Sequence, residues 1–129
     1  MYCILAADDD PVQLDLRRIL FESAGHRVIG VLTTRQTTRA VAAGEIQLVV
    51  MDLRFPNGEG KSDPLEGLQL IRNIRELDRT VPIIVLSGWP EDLEGTPEEQ
   101  MVSRVMMKPV RPAQLLAAAQ ELLASRLPS

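Results

Sequence analysis

Short apolar runs alternate along the chain with longer amphipathic segments, and few folds accommodate that order. The runs cover residues 2–7, 27–32, 46–51, 82–86 and 105–107. Each is mostly apolar at odd and even positions alike, the pattern of strands buried on both faces. The segments between them carry helix punctuation. Asp10-Pro11 precedes an apolar stripe of Val12, Leu16, Ile19 and Leu20 at helical spacing, Gln13 completes an Asp-x-x-Gln capping box, and Gly25 ends the segment. Asp63-Pro64-Leu65-Glu66 opens a helix through Leu70, Ile71, Ile74 and Leu77, and Thr96-Pro97-Glu98-Glu99 opens a shorter one. Residues 35–43, stopped by Gly44, and residues 112–126, with Leu115, Leu116, Ala119, Leu122 and Leu123, supply the other two. The pattern predicts a βα unit repeated five times.

That order implies an α/β fold, a mainly parallel sheet with helices on both faces and right-handed crossovers. A chain of 129 residues has room for one domain, expected over 1–129. A formal net charge of −4 argues against gripping nucleic acid or an anionic membrane directly. The single cysteine, Cys3, excludes an internal disulfide, and with one histidine it excludes Cys/His zinc clusters. No apolar stretch approaches the roughly 18 residues of a membrane span, and the first residues lack a basic leader. A cytoplasmic location is expected.

In open α/β sheets the ligand site lies beyond the carboxyl ends of the strands, where successive helices change faces. The residues there are Asp8, Asp9 and Asp10 after the first run, Asp52 after the third, Ser87-Gly88 after the fourth and Lys108-Pro109 after the fifth. Carboxylates gathered on one edge repel one another and need cations. Lys108 is one, and a divalent metal is expected as the other. Oxygen-only ligands favour a hard ion, and few carboxylates with room for water and phosphate favour Mg2+. Asp10 reads better as a helix cap than as a further ligand.

The segments ILAADDDP, LVVMDLRFP, IIVLSG and VMMKP, in this order and spacing, resemble the receiver domains of two-component response regulators. The resemblance covers essentially the whole chain. It implies a flavodoxin-like (βα)5 fold, a five-stranded parallel sheet of order 2-1-3-4-5, and a cis peptide at Lys108-Pro109. It also implies that Asp52 is the phosphoacceptor, with Mg2+ held by Asp8, Asp9, Asp52 and the backbone carbonyl of Arg54. Ser87 would donate its hydroxyl to a phosphoryl oxygen, and Lys108 would neutralise charge. The implied donor is the phosphohistidine of a histidine kinase or phosphotransfer protein. The implied output is altered binding to a downstream protein, with a homodimer as a further state. Such a domain promotes its own phosphorylation and dephosphorylation, and no separate enzymatic output module is expected. The chain is either a stand-alone receiver or a piece of a longer regulator.

The chain departs from the family pattern at several places. Between Pro56 and Gly67 it is longer than usual, and residues 57–63 read as a mobile Gly-rich loop and a candidate for partner selection. Gly60-Lys61-Ser62 is no phosphate-binding loop, because Phe55 stands where that motif needs glycine. Val105 occupies the position, three before Lys108, where receivers usually place a switching Tyr or Phe. Pro90, Gly95 and Pro97 keep the fourth helix short and late, and the acidic residues Glu91, Asp92, Glu94, Glu98 and Glu99 read as a solvated face. Arg54 and Trp89 hold the two positions that flank the phosphoryl group in the family, so they are expected to limit water's access and slow self-dephosphorylation. Two alternatives stand beside the switch: a phosphorylation-independent interaction scaffold of the same fold, and a Mg-dependent aspartyl phosphatase. The phosphatase would want an Asp where Arg54 stands. Cys3 reads as a small core residue, Met101, Met106 and Met107 as packing, and His26 as an edge or solvent-facing residue.

Overall fold

The computed structural model describes residues 1–125, so Arg126, the expected end of the last helix, lies outside the described residues. The elements run β1 (Cys3–Ala7), α1 (Pro11–Ser23), β2 (Arg27–Val31), α2 (Thr34–Ala42), β3 (Leu48–Asp52), β4 (Phe55–Pro56), β5 (Ser62–Asp63), α3 (Pro64–Leu77) and β6 (Ile83–Ser87). Two 3₁₀ turns follow, Pro90–Asp92 and Pro97–Met101, then β7 (Arg104–Met107) and α4 (Pro112–Ala124). The five longer strands form one sheet in the order β2-β1-β3-β6-β7, every pair parallel. Counting those five alone, the order is 2-1-3-4-5, the flavodoxin-like arrangement.

Alternation along the strands sorts the core into two layers. Leu5, Val49, Met51, Ile83 and Val85 face one way and pack with Val41 of α2 and Leu70, Ile71 and Ile74 of α3. Ile4, Ala6, Leu48, Val50, Ile84 and Leu86 face the other way, towards Leu14 and Phe21 of α1 and Leu115, Ala119 and Leu123 of α4. The chain after β1 therefore leaves towards one face and the chain after β3 towards the other. A crevice opens between those two strand ends.

Local chemistry sets the helix starts. The Asp10 carboxylate accepts from the Val12 amide at 3.0 Å, with Pro11 at the first helical position. The cap thus lands one residue earlier than the expected bond to Gln13. Asp63 caps α3 in the same way through Leu65 at 2.9 Å. Thr33 caps α2 by accepting from the Gln36 amide at 3.0 Å, while the Gln36 side chain reaches past the cap to accept from the Leu32 amide at 2.8 Å.

Four expectations are corrected. First, in α1 the stripe Val12, Leu16 and Ile19 is exposed, and the helix buries Leu14, Arg17 and Phe21 instead. The inward stripe has i, i+3, i+7 spacing, and an arginine at its centre hides it from a hydropathy reading. Second, the βα repetition is broken at the fourth unit, where the two 3₁₀ turns, each opened by proline, replace an α-helix. Third, residues 57–63 are tied into the antiparallel hairpin β4–β5. Asn57 Oδ1 accepts from the Glu59 and Lys61 amides at 2.8 and 3.1 Å, and Gly60 takes the left-handed φ of 77° that the turn requires. Fourth, the acidic stretch is not a plain solvated face: Glu98 is buried and pairs with Arg72 at 3.6 Å, and Asp92 pairs with Arg54.

Cys3 is a buried free thiol. His26 is half-buried at the start of β2, its Nδ1 accepting from the Tyr2 amide at 3.4 Å. Among the described residues no helix is long and apolar enough to cross a membrane.

Candidate functional site

β1 and β3 are neighbours in register, Ala7 beside Met51, so the residues that follow them meet at the crevice. Asp8 extends β1 by donating its amide to the Val31 carbonyl at 3.1 Å, and it is almost wholly buried. Its Oδ1 accepts from the Asp10 amide at 2.9 Å. Its Oδ2 accepts from Arg17 Nη1 in a buried ion pair. Asp52 ends β3 with Oδ1 accepting from the Leu53 amide at 2.8 Å and Oδ2 from Lys108 Nζ at 2.7 Å. Asp8, Asp9 and Asp52 each place a carboxylate oxygen within 4.8 Å of the others.

Asp9, unlike Asp8 and Asp52, is exposed, and among the described residues it forms no ion pair. Partial burial, then the charges of Asp8 and Asp52, push its carboxyl above the usual carboxylate range. Three carboxylates thus meet two cations, Arg17 on Asp8 and Lys108 on Asp52, leaving one unbalanced negative charge. Arg17 is the residue that sequence reasoning missed. Its signal was a basic side chain midway between Leu14 and Phe21 on one helical stripe.

Lys108 reaches the crevice from the end of β7, its amide donating to the Ser87 carbonyl at 2.9 Å, and the Lys108–Pro109 peptide is cis. Ser87 ends β6 one residue beyond Leu86, which pairs with Asp52. Its buried hydroxyl donates to the Trp89 carbonyl at 3.1 Å and accepts from the Trp89 amide at 3.0 Å, closing a small turn. The Arg54 side chain turns towards that turn rather than towards Asp52. Its Nε and Nη2 donate to the two Asp92 oxygens at 2.8 and 3.2 Å, and its Cζ lies 3.6 Å from the Trp89 ring centroid. Hydrogen bonding to Asp92 raises the Arg54 pKa further above its ordinary value. Asp10 sits apart from this cluster as the exposed cap of α1. Val105 lies on the outer strand, 42% exposed.

An open groove of about 520 Å³ runs from Lys108 and Pro109 between α1 and α4, with Leu16, Leu20, Leu86 and Leu115 in its walls. Its lining is mostly apolar but includes Asp10, Gln13 and Arg17 as well as Lys108.

The family model for the response regulator receiver domain matches residues 4–120. The transcriptional regulatory protein GlrR of Escherichia coli is 27% identical over 129 residues, an alignment covering 98% of this chain and 27% of that protein. The sensory/regulatory protein RpfC of Xanthomonas campestris is 30% identical over 129 residues, covering 95% of this chain and 16% of that protein. The chain therefore spans less than a third of either relative's length. Among solved structures, a response regulator receiver protein from Sinorhizobium medicae WSM419 superposes with a TM-score of 0.79 at 31% identity, covering 98% of this chain and 97% of that one. The receiver domain of sensor histidine kinase PA1611 from Pseudomonas aeruginosa PAO1, with a magnesium ion coordinated in its active site cleft, gives 0.78 at 28% identity, covering 95% of this chain and 98% of that one. Since the family match leaves only short ends outside it and agrees with the sheet order, the chain belongs to the response regulator receiver domains of two-component systems.

Proposed function

We propose that the chain is a phosphoacceptor switch in which Asp52 takes a phosphoryl group from the phosphohistidine of a histidine kinase or phosphotransfer protein. The observation that carries this reading is the Asp52 carboxylate at the end of β3, held by Lys108 Nζ at 2.7 Å within a cluster of three carboxylates. An oxygen-only donor set of this kind fits a hard divalent ion. Asp8, Asp9, Asp52 and the Arg54 carbonyl would hold Mg2+, which when bound neutralises charge developing on the phosphoryl oxygens. An Asp52 oxygen attacks phosphorus as the nucleophile, and as the O–P bond forms the P–N bond to the donor breaks and the donor imidazole leaves. Lys108, already within reach, shifts its ammonium from the carboxylate towards the phosphoryl oxygens.

Ser87 has a second part. Its proton is engaged by the Trp89 carbonyl, so donating to a phosphoryl oxygen releases that carbonyl and loosens the turn carrying Trp89. Trp89 in turn touches Arg54, and Arg54 holds Asp92. This chain of contacts offers a route from the pocket to the surface that needs no aromatic residue at position 105. Altered partner binding is the expected output, to a downstream protein or to a second copy.

A phosphorylation-independent scaffold is the second reading, favoured by Val105 in place of an aromatic and by the two 3₁₀ turns that stand where a helix was expected between β6 and β7. The phosphatase reading loses ground: Arg54, where that chemistry wants an acid, is bound to Asp92, and a guanidinium does not give up its proton as a general acid must. Acetyl phosphate with Mg2+ separates the readings. The switch predicts a mass gain of one phosphoryl group, a change in Trp89 fluorescence, and loss of both in Asp52→Asn. Absence of both responses in the unmodified chain, with Asp52→Asn binding partners equally well, selects the scaffold.

A further inference from the structure

We infer that Arg17 is a built-in counter-cation of the acidic pocket that weakens its hold on Mg2+, an inference that rests on the magnesium reading above. α1 turns Leu14, Arg17 and Phe21 towards the sheet, and the other two make ordinary core contacts. A guanidinium in that row costs desolvation unless an ionised partner meets it. The partner is Asp8: the two side chains are 8% and 1% exposed, and Arg17 Nη1 donates to Asp8 Oδ2. The other Asp8 oxygen accepts from the Asp10 amide, so each oxygen of this carboxylate already has a donor.

The charge count follows. Asp8, Asp9 and Asp52 bring three negative charges, and Lys108 and Arg17 remove two. Without Arg17 the pocket would present a net double negative charge to an entering divalent ion. With it the pocket presents one, and the ion approaches carboxylates of which one already carries a guanidinium. The same pair explains how the pocket holds its carboxylates together before any ion arrives. A pocket whose charge is largely offset from within binds metal more weakly and folds without it, so loading becomes sensitive to the Mg2+ concentration around it.

The test is a Mg2+ titration of the whole chain at constant ionic strength, read by calorimetry and by Trp89 fluorescence. It compares the unmodified chain, Arg17→Gln, which keeps an N–H donor but removes the charge, and Arg17→Lys, which keeps the charge. Arg17→Gln is expected to bind Mg2+ about tenfold more tightly, the scale of removing one like charge a carboxylate away. Arg17→Lys is expected to stay close to the unmodified chain. The thermal midpoint of Arg17→Gln should also rise with Mg2+ more steeply than that of the unmodified chain. Equal affinities in the unmodified chain and Arg17→Gln, or weaker binding by the variant, overturn the inference and leave the magnesium reading standing. Equal tightening in both variants overturns it too, since charge would then not be the cause. Failure of Arg17→Gln to fold at any Mg2+ concentration overturns it, because the ion would not be replacing the guanidinium. No binding by any of the three chains overturns the magnesium reading together with the inference.

Discussion

Arg54 is held from two sides, by both oxygens of Asp92 and by the Trp89 ring, and its cationic side chain is the one expected, with Trp89, to limit water's access to a phosphoryl group. If Asp52 takes a phosphoryl group as proposed, this stack, two residues further along the chain, is expected to shield it from water. Phosphorylated Trp89→Ala and Arg54→Ala are each expected to lose the group severalfold faster than the unmodified chain, by intact-mass decay. Asp92→Ala, which only frees Arg54, should shift the rate in the same direction, and unchanged half-lives in all three discard the shielding. His26 gives a prediction of a different kind. Burial and the N-terminal ammonium lower its pKa from 6.5, so the neutral ring is the form the fold favours. Its contribution to stability is complete above that unfolded value and is lost as pH falls through the lower folded one. Urea midpoints measured from about pH 7.5 to about pH 5 should therefore fall less steeply in His26→Gln than in the unmodified chain.

α3 approaches the site more closely than any side chain at its contact point permits. A Cβ on Gly67 would sit 1.8 Å from the Leu53 carbonyl oxygen, directly after Asp52. Gly67→Ala is expected to cost at least about 3 kcal/mol by urea unfolding. Gly58→Ala, whose Cβ would meet nothing, should stay within about 0.5 kcal/mol. α1 shows why element faces are harder to read than element positions. Its Asp10-Pro11 start and its end before Gly25 are local features, and both are where the sequence puts them. Its inward face is a choice between two stripes, and only packing against the sheet shows that the stripe with Arg17 goes in. The outward stripe then becomes informative. Val12, Leu16 and Ile19 lie exposed, and Leu16 lines the groove that reaches Lys108. Leu16→Asp is expected to slow phosphotransfer from a phosphohistidine donor about tenfold while leaving acetyl phosphate uptake unchanged. Equal slowing with both donors would place the damage in the pocket rather than in docking.

Across the whole molecule, the legible features share one property: they depend on neighbours in sequence. Apolar residues at odd and even positions alike determined that β1, β3 and β6 are covered on both faces, and the polar residues ending those runs had to stand at one edge of a parallel sheet. The sheet order came from resemblance, since periodicity is silent about which strands adjoin. Tertiary structure decided the rest. It brought Arg17 onto Asp8, and it set Arg54 against Asp92, 38 residues away. It also tied residues 57–63 into a hairpin and drew Glu98 inside beside Arg72. Charges and turns of this kind are indistinguishable from solvated surface in a linear reading, because the pattern of polar residues is the same whether water or a distant partner satisfies them. The sequence by itself determined where carboxylates and lysine would gather. Only the folded chain decided which cations answer them, because that depends on distances between residues the backbone brings together last.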